Sequence, residues 1–167
     1  MKLLKLVLSI ATAVTLAASP ALAEVKKGDK FVELDAKTAN GKHFRLKDMA
    51  GKWVLYTFGA SWCAPCAKEL PAWDKVAPKF QGKVLFVAVN IDNKIEEGKD
   101  FIASLKLKHV FPVYLPEDSS PAMKSYDPGH MPSTFVIDPK GVVQLVKYGY
   151  DKGEEDKLAA ALTELIK

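Results

Sequence analysis

Trp53-Val54-Leu55-Tyr56-Thr57-Phe58-Gly59-Ala60-Ser61-Trp62-Cys63-Ala64-Pro65-Cys66 carries an apolar run straight into the only two cysteines of a 167-residue chain. Val54, Leu55, Tyr56 and Phe58, with β-branched Thr57 among them, read as a buried strand. Ala67 to Phe80 reads as a helix, so Cys63 falls where strand becomes helix. The exposed N–H groups and partial positive charge of a helix N-terminus favour a thiolate, and can bring a cysteine pKa from about 8.5 to about 7 or below. Cys63 is the predicted nucleophile. Cys66, one helical turn deeper, is placed to attack a mixed disulfide on Cys63 and release the partner. Two other readings compete. A structural disulfide closing so short a loop gains only about 2 kcal/mol from chain entropy. Half of a zinc site would need two further ligands from three scattered histidines or the carboxylates.

Outward from this stretch, the N-terminus has the form of an export leader. Two lysines lie in Met1–Lys5, an uncharged and mostly apolar segment runs from Leu6 to Ala18, and Ala21-Leu22-Ala23 offers a small-x-small cleavage site. Residues 1–23 are the expected signal peptide, cut after Ala23, and 24–167 the expected domain. A retained membrane anchor is the rival reading, because Leu6–Ala23 approaches spanning length, but Ser9, Thr12, Thr15, Ser19 and Pro20 weaken it. The remaining 144 residues suit one domain with its own core. Lys2 and Lys5 leave with the leader, so 22 basic residues face 20 acids, a net charge of +2. That excess is too small, and too scattered, for nucleic-acid binding.

Phe31–Leu34 and His43–Leu46 alternate in the strand sense around the turn signal Asn40-Gly41, predicting an opening hairpin. Pro71 should kink the CxxC helix after two turns. Val84–Val89 reads as a strand buried on both faces. Asn93 and Glu96 suggest a capping box for a helix through Leu105. Val110–Leu115 reads as a strand, Ser120-Pro121 as a helix start, and Ser133–Ile137 and Val142–Val146 as antiparallel strands around Asp138-Pro139-Lys140-Gly141. Glu154–Lys167 closes the chain as an amphipathic helix. This order predicts an α/β domain with a central mixed sheet and helices on both faces.

Trp62-Cys63-Ala64-Pro65-Cys66 after an apolar strand, Met131-Pro132 before a later strand and Ile137-Asp138-Pro139-Lys140-Gly141 at the next turn resemble the thioredoxin superfamily. More narrowly, they resemble its exported TlpA/ResA/DsbE group of thiol–disulfide oxidoreductases. The resemblance covers about Val25 to Lys167 and implies a thioredoxin-like fold with an N-terminal β-hairpin and a helix–strand insertion before a cis-proline. It implies that Pro132 is that proline, with Met131 presenting its backbone to a bound polypeptide. It makes Glu69 an acid–base partner of the thiols, replacing the buried acid that thioredoxins carry at the position of Thr57. Trp62, Ala64 and Pro65 would shape the docking face. Gly59, where many relatives have tryptophan, would open space beside the site. A solvated helix glutamate and an ordinary trans proline are the plainer readings of Glu69 and Pro132.

The expected function is a periplasmic thiol–disulfide oxidoreductase acting on protein substrates, a monomer, with no cofactor beyond the Cys63–Cys66 pair and no metal. The resemblance implies a reductant recharged by a membrane-bound electron donor, with clients in cytochrome c maturation or a similar thiol-reducing pathway. Two alternatives remain open from the residues. One is a Cu(I) carrier using Cys63 and Cys66 with Met131 or His130. The other is an oxidant that introduces disulfides, since potentials in this superfamily span roughly 150 mV.

Overall fold

The computed structural model describes residues 24–115, 126 and 130–167. The expected leader and the helix start at Ser120-Pro121 lie outside them. Two short strands, β1 (Ala36–Lys37) and β2 (His43–Phe44), precede a 3-10 turn at Leu46–Met49. Then follow β3 (Trp53–Gly59), α1 (Cys66–Val76), a 3-10 turn at Ala77–Phe80 and β4 (Val84–Asn90). Next come α2 (Ile95–Leu105), β5 (Phe111–Tyr114), β6 (Ser133–Ile137), β7 (Val143–Tyr148) and α3 (Glu154–Leu165). The strands form one sheet in the order β2-β1-β5-β4-β3-β6-β7. β4 runs parallel to β3 and β5, whereas β6 is antiparallel to β3 and β7 antiparallel to β6. This is the thioredoxin-like arrangement, a mixed central sheet flanked by helices.

β3 and β4 sit in the middle, which is why their sequences are almost continuously apolar. Side chains alternate between two cores. Val54, Tyr56 and Phe58 join Val87, Phe135 and Ile137 on one face, closed over by Val25, Phe31, Leu34 and Tyr126. Leu55, Phe86, Ala88 and Val136 occupy the other, covered by Trp73 of α1, Ile102 of α2, and Leu158 and Leu162 of α3.

Two local expectations are corrected. The opening hairpin pairs Ala36 with Phe44 rather than using Phe31–Leu34. Its turn is closed by Gly41 N–H to Thr38 O and Thr38 N–H to Lys42 O, with Gly41 at φ 80°, so pairing begins on residues flanking that turn. Phe31 instead donates its N–H to Gly141 O beside the β6–β7 turn, while its ring packs on Tyr56 and Tyr126. The capping box at Asn93 and Glu96 does not form. Lys94, whose ammonium cannot accept a backbone N–H, is the N-cap one residue after Asn93, and Glu96 pairs with Lys99 instead. Pro71 lies inside α1, and the helix continues through it to Val76 before tightening at Ala77–Phe80, where Pro78 sits in the first turn.

Candidate active site

Ala60 to Pro65 lead from the C-terminal end of β3 to the first turn of α1. Cys63 donates its N–H to Ala60 O at 3.1 Å, and Cys63 O accepts from Cys66 and Ala67 at 3.0 and 3.3 Å, so the loop passes directly into the helix. Cys63 and Cys66 form a disulfide with Cα atoms 5.3 Å apart. The Cys66 N–H also points at Cys63 Sγ, at 3.2 Å. A donor from the helix head is thus aimed at the outer sulfur, the electrostatics that stabilise a thiolate. In the disulfide form Cys63 keeps only 4% of its surface, against 1% for Cys66. Trp62, Ala64 and Pro65 are exposed around it, Trp62 at 65%.

Glu69 lies one turn along α1 from Cys66 and is completely buried, which removes the solvated-glutamate reading. It reaches the sheet surface at Thr57: Thr57 Oγ1 donates to Oε2 at 2.6 Å and Thr134 Oγ1 to Oε1 at 3.1 Å. Burial raises its pKa from 4.5 to about 7, opposed by those hydroxyls, by the charge of Lys147 and by the Trp73 indole. The Trp73 N–H finds no acceptor within hydrogen-bond geometry, so we read its influence as the weaker pull of a nearby dipole. Lys147 stands next to Thr134 in the β6–β7 register and binds Glu154 at 2.6 Å. A cavity of about 10 Å3 is bounded by Thr57, Gly59, Cys66 and Glu69, among others. That volume is on the scale of one water, and Glu69 and Cys66 both line it.

Met131-Pro132 is a cis peptide, Pro132 buried and Met131 partly so. Ser133 follows and pairs with Phe58 near the C-terminal end of β3, so this peptide lies at the same end of the sheet as the cysteines. His130 is exposed, its ring 6.2 Å from that of Tyr148. Among the described residues no cluster of three His, Cys, Asp or Glu side chains could hold a metal. Gly59 does not open space. A Cβ there would stand 2.8 Å from Cys66 Sγ, because the inner cysteine already fills that volume.

Sequence reasoning missed a second polar cluster. Asp92, 3% exposed, accepts from the Ser61 N–H at 2.9 Å, the Ser61 hydroxyl at 2.6 Å and the Asn90 amide at 2.6 Å. The alternation Asn90-Ile91-Asp92 after an apolar strand was the available sign. Thr134 was missed too, since nothing in one sequence states which residue of β6 will face Thr57.

A thioredoxin-like sheet with a disulfide between Cys63 and Cys66 at the head of α1 defines the class: a thiol–disulfide oxidoreductase, working on protein thiols and disulfides through that redox-active pair. The chain belongs to the AhpC/TSA family, whose profile matches residues 27–146. Thioredoxin-like protein YneN of Bacillus subtilis is 31% identical over 126 residues, 75% of this chain and 73% of that protein. Thiol-disulfide oxidoreductase ResA of Bacillus thuringiensis is 34% identical over 134 residues, 79% of this chain and 71% of the relative. The crystal structure of a DsbE-type thiol:disulfide interchange protein from Chlorobium tepidum superposes with a TM-score of 0.77 at 26% identity, covering 86% of this chain and all of that one. No described helix is long and apolar enough to cross a membrane.

Proposed function

We propose that this chain is a periplasmic reductant of protein disulfides, with residues 1–23 as its export leader and 24–167 as its working domain. In the reduced enzyme the Cys63 thiolate attacks one sulfur of a client disulfide, forming a mixed disulfide and expelling the client's first thiolate. Cys66 then attacks Cys63 Sγ, closing the Cys63–Cys66 disulfide and releasing the second client thiolate. Two electrons pass to the client. Glu69 takes the Cys66 proton during the second attack and returns it when a membrane-bound donor reduces the enzyme.

One observation supports this division of labour above the others: a helix-head N–H is aimed at Cys63 Sγ, while Cys66 lines a small cavity with Glu69, whose carboxyl is poised near neutrality. Trp62, Ala64 and Pro65 offer an exposed approach to Cys63, and Met131-Pro132 lies at the same end of the sheet as a strand-like docking edge. Cytochrome c maturation or a related thiol-reducing pathway is the expected setting, with the enzyme acting as a monomer. Insulin reduction tests the assignment. The wild type should precipitate insulin with dithiothreitol as electron source, and Cys63→Ser should fall to background. A fully active Cys63→Ser protein would remove it.

A further inference from the structure

Ser61 stands two residues before Cys63, in the loop whose Ala60 carbonyl accepts the Cys63 N–H. Its backbone and hydroxyl both donate to Asp92, which comes from the segment after β4. Asn90 completes the cluster: its amide donates to Asp92 Oδ2, and its own Oδ1 accepts the Asp92 N–H at 3.2 Å. Among the described residues, every donor aimed at the buried carboxylate is therefore supplied by the active-site loop or by the end of β4. Asn90 is in turn backed by α2. At Gly98 a Cβ would lie 1.9 Å from Asn90 Oδ1, so glycine is the residue that lets helix and amide meet. Glycine is a poor residue for a helix interior, so its presence here needs such a reason.

We propose that Asp92 is a positioning residue for the redox couple: with Asn90 and Gly98 behind it, it clamps the Ser61 segment so that Cys63 Sγ is held within bonding reach of Cys66. Holding two reacting groups together favours the bond between them, so the clamp stabilises the disulfide and keeps the couple reducing. Its negative charge acts in the same sense, because a carboxylate behind the loop disfavours the Cys63 thiolate of the reduced form. The inference rests on the thiol–disulfide chemistry of the pair and stands whichever way electrons flow in the cell.

The test is the equilibrium of the full chain with glutathione, in which protein dithiol and glutathione disulfide exchange for protein disulfide and two glutathione thiols. Asp92→Asn, losing the charge and one of the two acceptor oxygens, should weaken the protein disulfide about fivefold, and Ser61→Ala, losing only the hydroxyl, about twofold. The double variant should fall short of the product, since both changes release the same clamp. Gly98→Ala should move the constant in the same direction by displacing Asn90. A merely structural role would lower the melting temperatures of oxidised and reduced protein equally and leave the constant unmoved. That outcome for Ser61→Ala and Asp92→Asn overturns the proposal, and Ser61→Ala decides alone if Asp92→Asn does not fold.

Discussion

The two faces of the central strands diverge as they approach the cysteines. On one face Val54 lies beside Ile137 and Tyr56 beside Phe135, and Phe58, though in register with Ser133, packs edge-on against Phe135 and stacks on Tyr126. On the other, β3 steps from Leu55 to Thr57 to Gly59, shrinking and gaining polarity. Leu55 meets α1 through apolar packing, Thr57 binds the Glu69 carboxyl, and Gly59 yields its side-chain volume to Cys66. The first face supplies stability. The second gives up part of it to hold a proton and a sulfur side by side.

Substitutions on each face can break this contrast. The largest effect is expected for Phe135→Ala, at the centre of the aromatic face, which should cost about 3–5 kcal/mol of unfolding free energy. Denaturant titration reads it, and the glutathione equilibrium of the folded variant should stay within about twofold of wild type. A large change in that equilibrium would show that the aromatic face also tunes the couple.

Glu69→Gln comes next, and its sign depends on pH. Burial raises the folded carboxyl pKa from 4.5 to about 7, so between those values the folded chain keeps a proton that the unfolded chain has released. Stability is therefore full below about pH 4.5 and declines as pH rises to about 7, by on the order of 3 kcal/mol. Glu69→Gln should be near neutral at pH 4 and stabilising at pH 8. It should also erase an inflection near pH 7 in the rate at which Cys66 resolves a mixed disulfide. An inflection that survives the substitution would assign the proton to another group. Gly59→Ala should have a smaller effect on stability, about 1–3 kcal/mol, because the new methyl must push on Cys66 Sγ and Cβ. Its distinguishing signature is a greater loss in the oxidised form than in the reduced one, measured by melting both.

The fold was legible because period and composition agree along β3, β4 and α1, and because two cysteines with that spacing at a strand–helix junction have few other uses. Glu69, one turn past Cys66, could be picked out through the family resemblance. Its complete burial could not, since that depends on Thr134, whose pairing with Thr57 is a matter of sheet register. Phe31–Leu34 misled for a related reason. Alternating residues look the same whether they pair in a ladder or, as here, pack against the β6–β7 turn. The Asn93–Glu96 motif failed because the helix starts one residue later, with Lys94 as its N-cap, and Glu96 pairs with Lys99. Gly59 and Asp92 depend on contacts between segments 7 and 31 residues apart, which local pattern does not encode.

Cys63 keeps little exposed surface in the disulfide form, so its role as the attacking thiol is best tested by trapping. Reduced Cys66→Ser protein mixed with a disulfide client should accumulate a stable adduct, and peptide mass spectrometry should place it on Cys63. Cys63→Ser should accumulate almost none. Equal trapping by both variants, or an adduct confined to Cys66, would contradict the order of attack on which the mechanism is built.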